Sequence, residues 1–470
     1  MNKTKKFMLF GLILFSVLVY VACGSNNSAP GGQTPDDQMP VETFLGSTSF
    51  AHSLTRTHNR KIIYDSNSKH WYVFWLRADD NSSFDPDEEG VVYQTSSDGL
   101  IWSQPVVVEP FNGGGISSWD VILNGTSLYL LGLTDYPNVS GETSKYAVRE
   151  LEIQGNGSLT INSPVIVYDF SSGDSSLVHF YGSLLQDSEE GYFWVAARVG
   201  DSTAGTHAEV IRSTAPDSID YWGSTSCTGQ TCNGEWINPY ANSGRTLLRG
   251  TIANRLLDLG QYGVGLLTYN KNDYGADVNP LGQILFVRNP TRAHDGWEST
   301  SIVLTDRANQ YINAGSATGA DDTRDDDRRF ATVVDPRTNI IHVAYITADT
   351  DTSDNANLCY FTLSPPYRLQ DKSIETTVIN KEVDGVNLSI ATNYNPSIPI
   401  LFYIENNHPN YQVKMIEKTE TGWSSSSNIN DGVGTVRYPQ SPETVVNDEI
   451  VVGYQYPGDS YNICVTKIEF

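Results

Sequence analysis

The chain has 470 residues, of which 39% are hydrophobic and only 18% are charged, and its formal charge at pH 7 is −25. A surface this acidic repels phosphate backbones, which makes a nucleic-acid-binding role a poor fit. The 26 Tyr, 16 Phe and 9 Trp exclude a disordered chain, and with 39 Gly and only 4 Met they favour β-structure over a helical bundle.

Residues 1–22 have the pattern of a signal peptide. Three lysines precede an apolar run over 7–21, which is too short for a comfortable membrane span. The run ends in Val-Ala-Cys at 21–23, a tripeptide that resembles the bacterial lipobox. The resemblance implies that Cys23 is lipidated and becomes the mature N-terminus, and ordinary secretion with cleavage nearby is the alternative.

The next segment is rich in Gly, Pro, Asn and Ser and lacks periodicity, which predicts a flexible tether. The predicted division is a signal peptide over 1–22, a lipidated cysteine and tether over 23–42, and one folded domain over 43–470. We expect an exported, lipid-anchored protein of the bacterial cell envelope, on the outer membrane or cell surface. Because the body is acidic, we expect the lipid to be its only membrane anchor.

From about residue 43 onward, short β-like runs alternate with turns rich in Gly, Asn, Asp and Ser. An Asp that opens a turn stands ten residues before an aromatic or small residue that ends a strand, as in Asp65 before Trp75 and Asp335 before Tyr345. Asp suits such turns because its side chain can cap its own backbone. The repeated units start near residues 58, 115, 176, 245, 326, 386 and 436.

Four strands per unit, repeated around an axis, predict an all-β propeller of seven blades, with six or eight blades as alternatives. The last unit has only three strands. We expect residues 41–50 to supply its fourth strand, which would join the two ends of the ring and pair otherwise open edges.

The turn after the third strand of the first unit carries Ser96, Asp98, Gly99 and Trp102. This pattern resembles the Asp-box, or BNR repeat, of the sialidase-like propellers, and Asp-Gly-Trp at 295–297 is a degenerate copy. The resemblance implies a hairpin in which Asp and Ser cap the turn and Trp packs between strands. It also implies that this hairpin lies on the face opposite the usual active site.

Ligands of such propellers normally meet the face at which the innermost strand of each blade begins, here named the strand-start face. Sialidases hold the substrate carboxylate there with three arginines from different blades, because a guanidinium is permanently charged and binds a carboxylate through two parallel hydrogen bonds. The resemblance makes Asp120 the candidate acid catalyst and Tyr438 the candidate nucleophile. The repeat places these candidate substrate-binding residues on the same face: Asn59, Arg60, Trp119, His179, Tyr181, Arg255, Arg328 and Arg437.

The predicted function is binding of an extracellular glycan and, if the protein is an enzyme, its cleavage by a sialidase-type glycoside hydrolase mechanism. One alternative is a propeller-type polysaccharide lyase, in which Arg60 neutralises a uronate while His58, His179 or Tyr181 removes the adjacent proton. The other is a non-catalytic scaffold that binds a cell-surface protein, with its arginines in salt bridges between blades. In each case we expect a monomer.

Cysteine usage indicates an oxidising compartment. Cys227 and Cys232 flank a loop short enough to close as a local disulfide. Cys359 and Cys464 lie in apolar strand-like runs, which predicts buried thiols.

No Cys or His pair has the spacing of a metal site, so we expect no cofactor. Two acidic stretches, over 79–89 and 321–327, leave calcium as an alternative. Neither has the spacing of a calcium-binding loop, which favours solvated loops.

Overall fold

The structure is a computed structural model, and it describes residues 40–49, 53–54, 59–78, 89–110, 119–134, 145–169, 180–201, 205–223, 236–241, 251–271, 281–309, 330–347, 357–381, 383–407, 410–430, 436–457 and 460–470. These residues form seven sheets, arranged as the blades of a propeller. The predicted all-β, seven-bladed fold is therefore confirmed. The predicted signal peptide and nearly all of the predicted tether lie outside the described residues.

The strands are numbered in chain order, and each blade is numbered by the position of its innermost strand. The first strand, β1 (Glu42–Thr48), belongs to the last blade. Blade 1 contains β2 (Ile62–Asp65), β3 (His70–Arg77), β4 (Gly90–Ser96) and β5 (Val106–Pro110). Blade 2 contains β6 (Asp120–Asn124), β7 (Ser127–Thr134), β8 (Lys145–Ile153), β9 (Leu159–Ile161) and β10 (Val165–Asp169). Blade 3 contains β11 (Phe180–Gln186), β12 (Phe193–Asp201) and β13 (Gly205–Arg212).

Blade 4 contains β14 (Thr251–Asp258), β15 (Val264–Lys271), β16 (Leu281–Asn289) and β17 (Ile302–Asn309). Blade 5 contains β18 (Phe330–Val334), β19 (Ile341–Ile346), β20 (Leu358–Leu363) and β21 (Thr376–Ile379). Blade 6 contains β22 (Val383–Ala391), β23 (Ile398–Asn407), β24 (Asn410–Glu417) and β25 (Ser427–Asn428), extended by β27 (Thr444–Val445). Blade 7 contains β26 (Arg437–Gln440), β28 (Glu449–Tyr456), β29 (Tyr461–Glu469) and β1. Short 3-10 turns lie at Gly260–Tyr262 and Leu369–Asp371.

The two ends of the domain close the ring. Strand β1 pairs antiparallel with β29, so that Glu42 lies opposite Thr466 and Thr48 lies opposite Tyr461. The hydroxyls of Tyr454 and Tyr456 both donate to Glu42 Oε2, at 2.7 and 2.9 Å. The predicted closure by the N-terminal strand is confirmed.

Each blade is buried on both faces, which explains why its inner strands are continuous apolar runs. On β3, Tyr72 and Phe74 pack in a cluster that reaches Trp119 of blade 2. The alternate residues Trp71 and Trp75 pack in a different cluster, which includes residues of blade 7. Because successive side chains of a strand point to opposite faces, one strand supplies the core on both sides of its blade.

The Asp residues between first and second strands cap their own turns, as predicted. Asp65 accepts hydrogen bonds from the backbone amides of Asn67 (3.0 Å) and Ser68 (2.9 Å). Asp335 accepts one from the amide of Arg337 (3.0 Å). These short connections lie on the face opposite the strand-start face, here named the strand-end face.

The turn after β4 is also held by its own side chains. Asp98 Oδ1 accepts hydrogen bonds from the amides of Leu100 (2.8 Å) and Ile101 (2.9 Å), and Ser96 Oγ donates to it at 2.9 Å. The indole of Trp102 donates to the carbonyl of Gly99 at 3.2 Å. The kinship of this turn with the Asp-box stays a prediction.

The cysteines require one correction. Cys359 is a buried thiol that is not part of a disulfide, as predicted. Cys464 is buried but disulfide-bonded, so the prediction of a second buried thiol is wrong. A buried sulfur on an apolar strand looks the same in the sequence in either state. Cys23, Cys227 and Cys232 lie outside the described residues.

Candidate functional site

Residues just inside the strand starts meet at the centre of the ring. Arg60 precedes β2, Asp120 opens β6 and Arg255 lies in β14. The amide of Val121 donates to the carbonyl of Arg60 at 3.2 Å, and the amide of Leu256 donates to Ser183 Oγ at 3.1 Å. Hydrogen bonds between innermost strands therefore hold these positions at one level. Arg60, Asp120, Arg255 and Glu443 are here named the central cluster.

Asp120 and Arg60 form an ion pair with two charge-assisted hydrogen bonds between their side chains. Nε and Nη2 of Arg60 donate to the two carboxylate oxygens at 3.1 and 2.6 Å, and the Arg60 amide donates to Oδ1 at 2.7 Å. The amide of Leu184 donates to Asp120 Oδ2 at 2.8 Å, and Ser183 Oγ donates to the same oxygen at 3.4 Å. This carboxylate therefore connects blades 1, 2 and 3.

Arg255 is less completely paired. Its Nη1 lies 3.6 Å from Asp120 Oδ1, beyond hydrogen-bonding distance, and its Nη2 donates to Glu443 Oε1. The other oxygen of Glu443 lies 3.7 Å from Arg60 Nη1. Arg255 is only 2% exposed, and its Nε and Nη1 find no hydrogen-bond acceptor in the described part of the chain.

The charged side chains of the central cluster shift one another's pKa values. Burial raises the pKa of Asp120, but Arg60 and Arg255 outweigh burial and hold it at about 2. Burial lowers the pKa of Arg60, yet Asp120 and Glu443 leave it raised. The pKa of Arg255 is lowered, first by burial and then by the nearby charge of Arg60. Of the two arginines of the central cluster, Arg255 is therefore the one whose positive charge is less compensated by nearby carboxylates.

Glu443 reaches the cluster because the inner strand of blade 7 crosses toward blade 6. After β26, Ser441 Oγ donates to Asn387 Oδ1 at 2.7 Å, and the amide of Ile390 donates to the carbonyl of Glu443 at 2.8 Å. Strand β27 then pairs parallel with the end of β22. Sequence analysis missed Glu443. The available signal was the length of this connection, which runs over 441–448, whereas the connection in blade 1 runs over 66–69.

Two cavities lie beside the cluster, with volumes of about 560 and 430 Å³. Both volumes are within the range of small-molecule sites. They are lined by the ends of the innermost strands and by the turns that follow, so they belong to the strand-end side of the cluster. Both contain Arg60, Leu185, Ser188, Asp258, Glu443 and Thr444. Arg255 is absent from the described lining of both cavities.

The other predicted binding residues have separate surroundings. Asn59 is buried and donates to the carbonyl of Gly182 at 2.7 Å. Trp119 is buried, with the Lys61 ammonium 4.5 Å from its ring centre. Arg437 lies on β26 opposite Gln455.

Tyr438, the candidate nucleophile, is fully buried in the apolar cluster that includes Leu54 and Trp71. The backbone of Tyr181 lies in β11, but its side chain is not described. His58, His179 and Arg328 lie outside the described residues. The structure thus brings Arg60, Asp120 and Arg255 together and packs Tyr438, fully buried, among apolar side chains.

Within the described residues, no group of three or more His, Cys, Asp or Glu side chains could hold a metal ion. The acidic stretch over 321–327 and most of that over 79–89 lie outside these residues, so the calcium alternative stays a prediction. No helix in the described ranges is long and apolar enough to cross a membrane.

No family model matches the sequence, and no curated protein matches it significantly. Among solved structures, polysaccharide lyase Uly1 is similar with a TM-score of 0.49 and 8% identity, over 90% of this chain and 92% of that chain. The α-L-arabinanase of Penicillium chrysogenum has a TM-score of 0.45 and 11% identity, over 75% and 92%. The sialidase of Trypanosoma rangeli has a TM-score of 0.43 and 10% identity, over 91% and 58%. These similarities assign neither a substrate nor a mechanism to this chain.

Proposed function

We propose that this chain is an envelope-anchored lipoprotein whose propeller binds an acidic extracellular glycan at the centre of its strand-start face. The observation that carries the proposal is the incomplete pairing of Arg255. A buried N–H group without an acceptor costs about 1–3 kcal/mol. An anionic ligand group that accepts from one of these two donors, Arg255 Nε or Nη1, would offset part of this cost.

A carboxylate suits this position because a charged acceptor makes a stronger hydrogen bond than a neutral one, and the guanidinium keeps its own charge at any physiological pH. Sugar carboxylates, such as those of uronic and sialic acids, are ionised under the same conditions. Glu443 lies in the lining of both strand-end cavities, whereas Arg255 does not. We therefore assign the approach of the ligand to the strand-start side.

Binding fits the geometry better than cleavage does. Asp120, with a pKa of about 2, carries no proton at neutral pH, and a general acid needs one. Tyr438 is fully buried and packs among apolar side chains, so its hydroxyl is closed to solvent. The lyase alternative depends on His58, His179 or Tyr181 as the base, and the structure describes neither histidine nor the side chain of Tyr181.

The test measures binding of uronate-containing and sialate-containing oligosaccharides to the mature protein by calorimetry, beside the same sugars as methyl esters. We expect the free acids to bind at least about tenfold more tightly than the esters, and Arg255→Met to abolish most of this difference. Arg288→Met is the matched control, because Arg288 lies in the same blade and pairs with Glu298 at 3.1 Å, away from the cluster.

Equal binding of acids and esters contradicts the proposal. Absence of glycan binding by a protein with native circular dichroism favours the scaffold alternative. Release of shorter or unsaturated sugars would show that the protein is an enzyme.

A further inference from the structure

The predicted tether starts at the strand-end face. The innermost strand of each blade runs from the strand-start face to the strand-end face, and each antiparallel neighbour reverses the direction. Strand β1 is the fourth strand of blade 7, so it begins at the strand-end face, with Glu42 opposite Thr466 near the end of β29. Pro40, the first described residue before β1, therefore lies on this side, where the predicted tether joins the domain.

Several exposed apolar side chains surround the point where the tether leaves. Val41 is 67% exposed, Phe44 39%, Leu100 42%, Ile101 74% and Phe470 37%. We name these five residues the tether corner.

A hydrogen bond between blades 7 and 1 places part of the tether corner side by side. Thr43 Oγ donates to the carbonyl of Leu100 at 3.4 Å, which joins β1 to the turn after β4. Phe470 directly follows β29, and its amide donates to the carbonyl of Asp448 at 2.9 Å. Val41, two residues before Thr43, and the turn with Leu100 and Ile101 thus lie side by side on adjacent blades, and Phe470 lies at the end of β29 in blade 7.

Folding does not account for the exposure of Leu100 and Ile101. Their turn is fixed by polar groups, because Asp98 accepts hydrogen bonds from both of their amides. The turn would keep these bonds with polar side chains at both positions. Grouped exposed apolar residues on a soluble domain mark an interaction surface.

The length of the predicted tether determines how close the tether corner lies to the bilayer. From Cys23 to Pro40 a flexible chain has a root-mean-square span of about 23 Å. An anchor at Cys23 would hold the corner at about that average distance from the bilayer, at an effective concentration in the millimolar range. Weak apolar contacts suffice under these conditions.

We infer that the tether corner docks on the lipid bilayer, with Leu100, Ile101 and Val41 at the boundary between headgroups and acyl chains. The inference rests on the proposed lipid anchor. Asp98 and Glu469 flank the corner and the chain is acidic overall, so the contact is apolar and does not depend on anionic lipid. In this arrangement the strand-start face points away from the membrane, toward soluble glycans.

The test uses the full lipidated protein in phosphatidylcholine nanodiscs and measures deuterium exchange of backbone amides. The reference is the Cys23→Ala chain without lipid. We expect exchange over 97–104 to slow at least about threefold in nanodiscs, and the double variant Leu100→Ser/Ile101→Ser to lose this protection.

The matched control is Leu369→Ser/Ile374→Ser. Leu369 and Ile374 are 59% and 89% exposed in the corresponding connection of blade 5, on the same face but in a blade distant from the tether. We expect this control to keep the protection over 97–104, and we expect no protection of 366–375 in the unchanged protein.

Three results overturn the inference. Equal exchange over 97–104 with and without the bilayer shows that the corner is free. Protection that rises with the number of copies per nanodisc shows a contact between copies. Absence of the chain from the membrane fraction removes the anchor and the docking together, whereas loss of glycan binding alone affects only the proposed function.

Discussion

Asp98 and Asp120 have the same chemistry and opposite surroundings. Asp98 is mostly exposed, and its pKa is lowered chiefly by the backbone amide of Ile101, three residues away. Asp120 is fully buried, and its pKa is lowered against burial by Arg60 and Arg255, from two other blades. One carboxylate stabilises a turn, and the other connects separate parts of the ring.

The distance in sequence between a carboxylate and its partners determines how much of the structure its removal destabilises. Without Asp98, water can satisfy the exposed amides of Leu100 and Ile101. Without Asp120, the buried guanidinium of Arg60 loses its main acceptor, and Glu443 is the one carboxylate partner left to Arg255 among the described residues. We therefore expect the two positions to respond very differently to the same substitution.

The largest effect is expected for Asp120→Asn. Removal of one charge from a buried ion pair costs about 3–5 kcal/mol, whereas Asp98→Asn should cost about 1 kcal/mol of unfolding free energy. Urea denaturation of both variants measures the difference. If Asp120→Asn loses no more unfolding free energy than Asp98→Asn does, the predicted difference between the two positions is wrong.

A double variant provides the control. If the cost comes from an uncompensated Arg60, then Arg60→Met/Asp120→Asn should lose about 1–3 kcal/mol less than the sum of the two single variants. Additive losses would contradict a direct coupling between these side chains.

An effect of intermediate size on the unfolding free energy is expected when the pH is lowered. The pKa of Asp120 is lower in the folded state, about 2, than its ordinary value of 3.8. Its contribution is therefore fully present above pH 4 and is lost as the pH falls toward 2. Between pH 5 and pH 3 the stability advantage of the unchanged protein over Asp120→Asn should shrink by about 1 kcal/mol. Urea denaturation across this range measures it, and a constant or growing advantage would contradict the assignment.

The same contrast explains which features sequence analysis could predict. The turns at Asp65 and Asp98 depend on residues within a few positions, so their patterns are visible in the sequence. The phase of the repeat also placed Arg60 and Asp120 correctly at the strand starts. The ring closure followed from counting strands in the last unit.

Glu443 could not be predicted in the same way. Its place in the central cluster depends on the crossing of the chain from blade 7 to blade 6, through the contact of Ser441 with Asn387. Nothing in the repeat marks that crossing except a longer connection. The pairing of Arg255 was hidden for the same reason, since its partners are distant in sequence.

The smallest expected effect on stability concerns the turn that Asp98 caps. Gly99 has φ of +74°, and a Cβ there would meet Val451 Cγ2 of blade 7 at 3.1 Å. Gly125 has φ of +58°, with nothing within 4 Å of its Cβ position. Alanine at either position costs about 1 kcal/mol for the left-handed backbone. If the turn also packs against blade 7, Gly99→Ala should lower the urea midpoint more than Gly125→Ala. Equal midpoints would mean that this turn is local in its packing as well as in its hydrogen bonds.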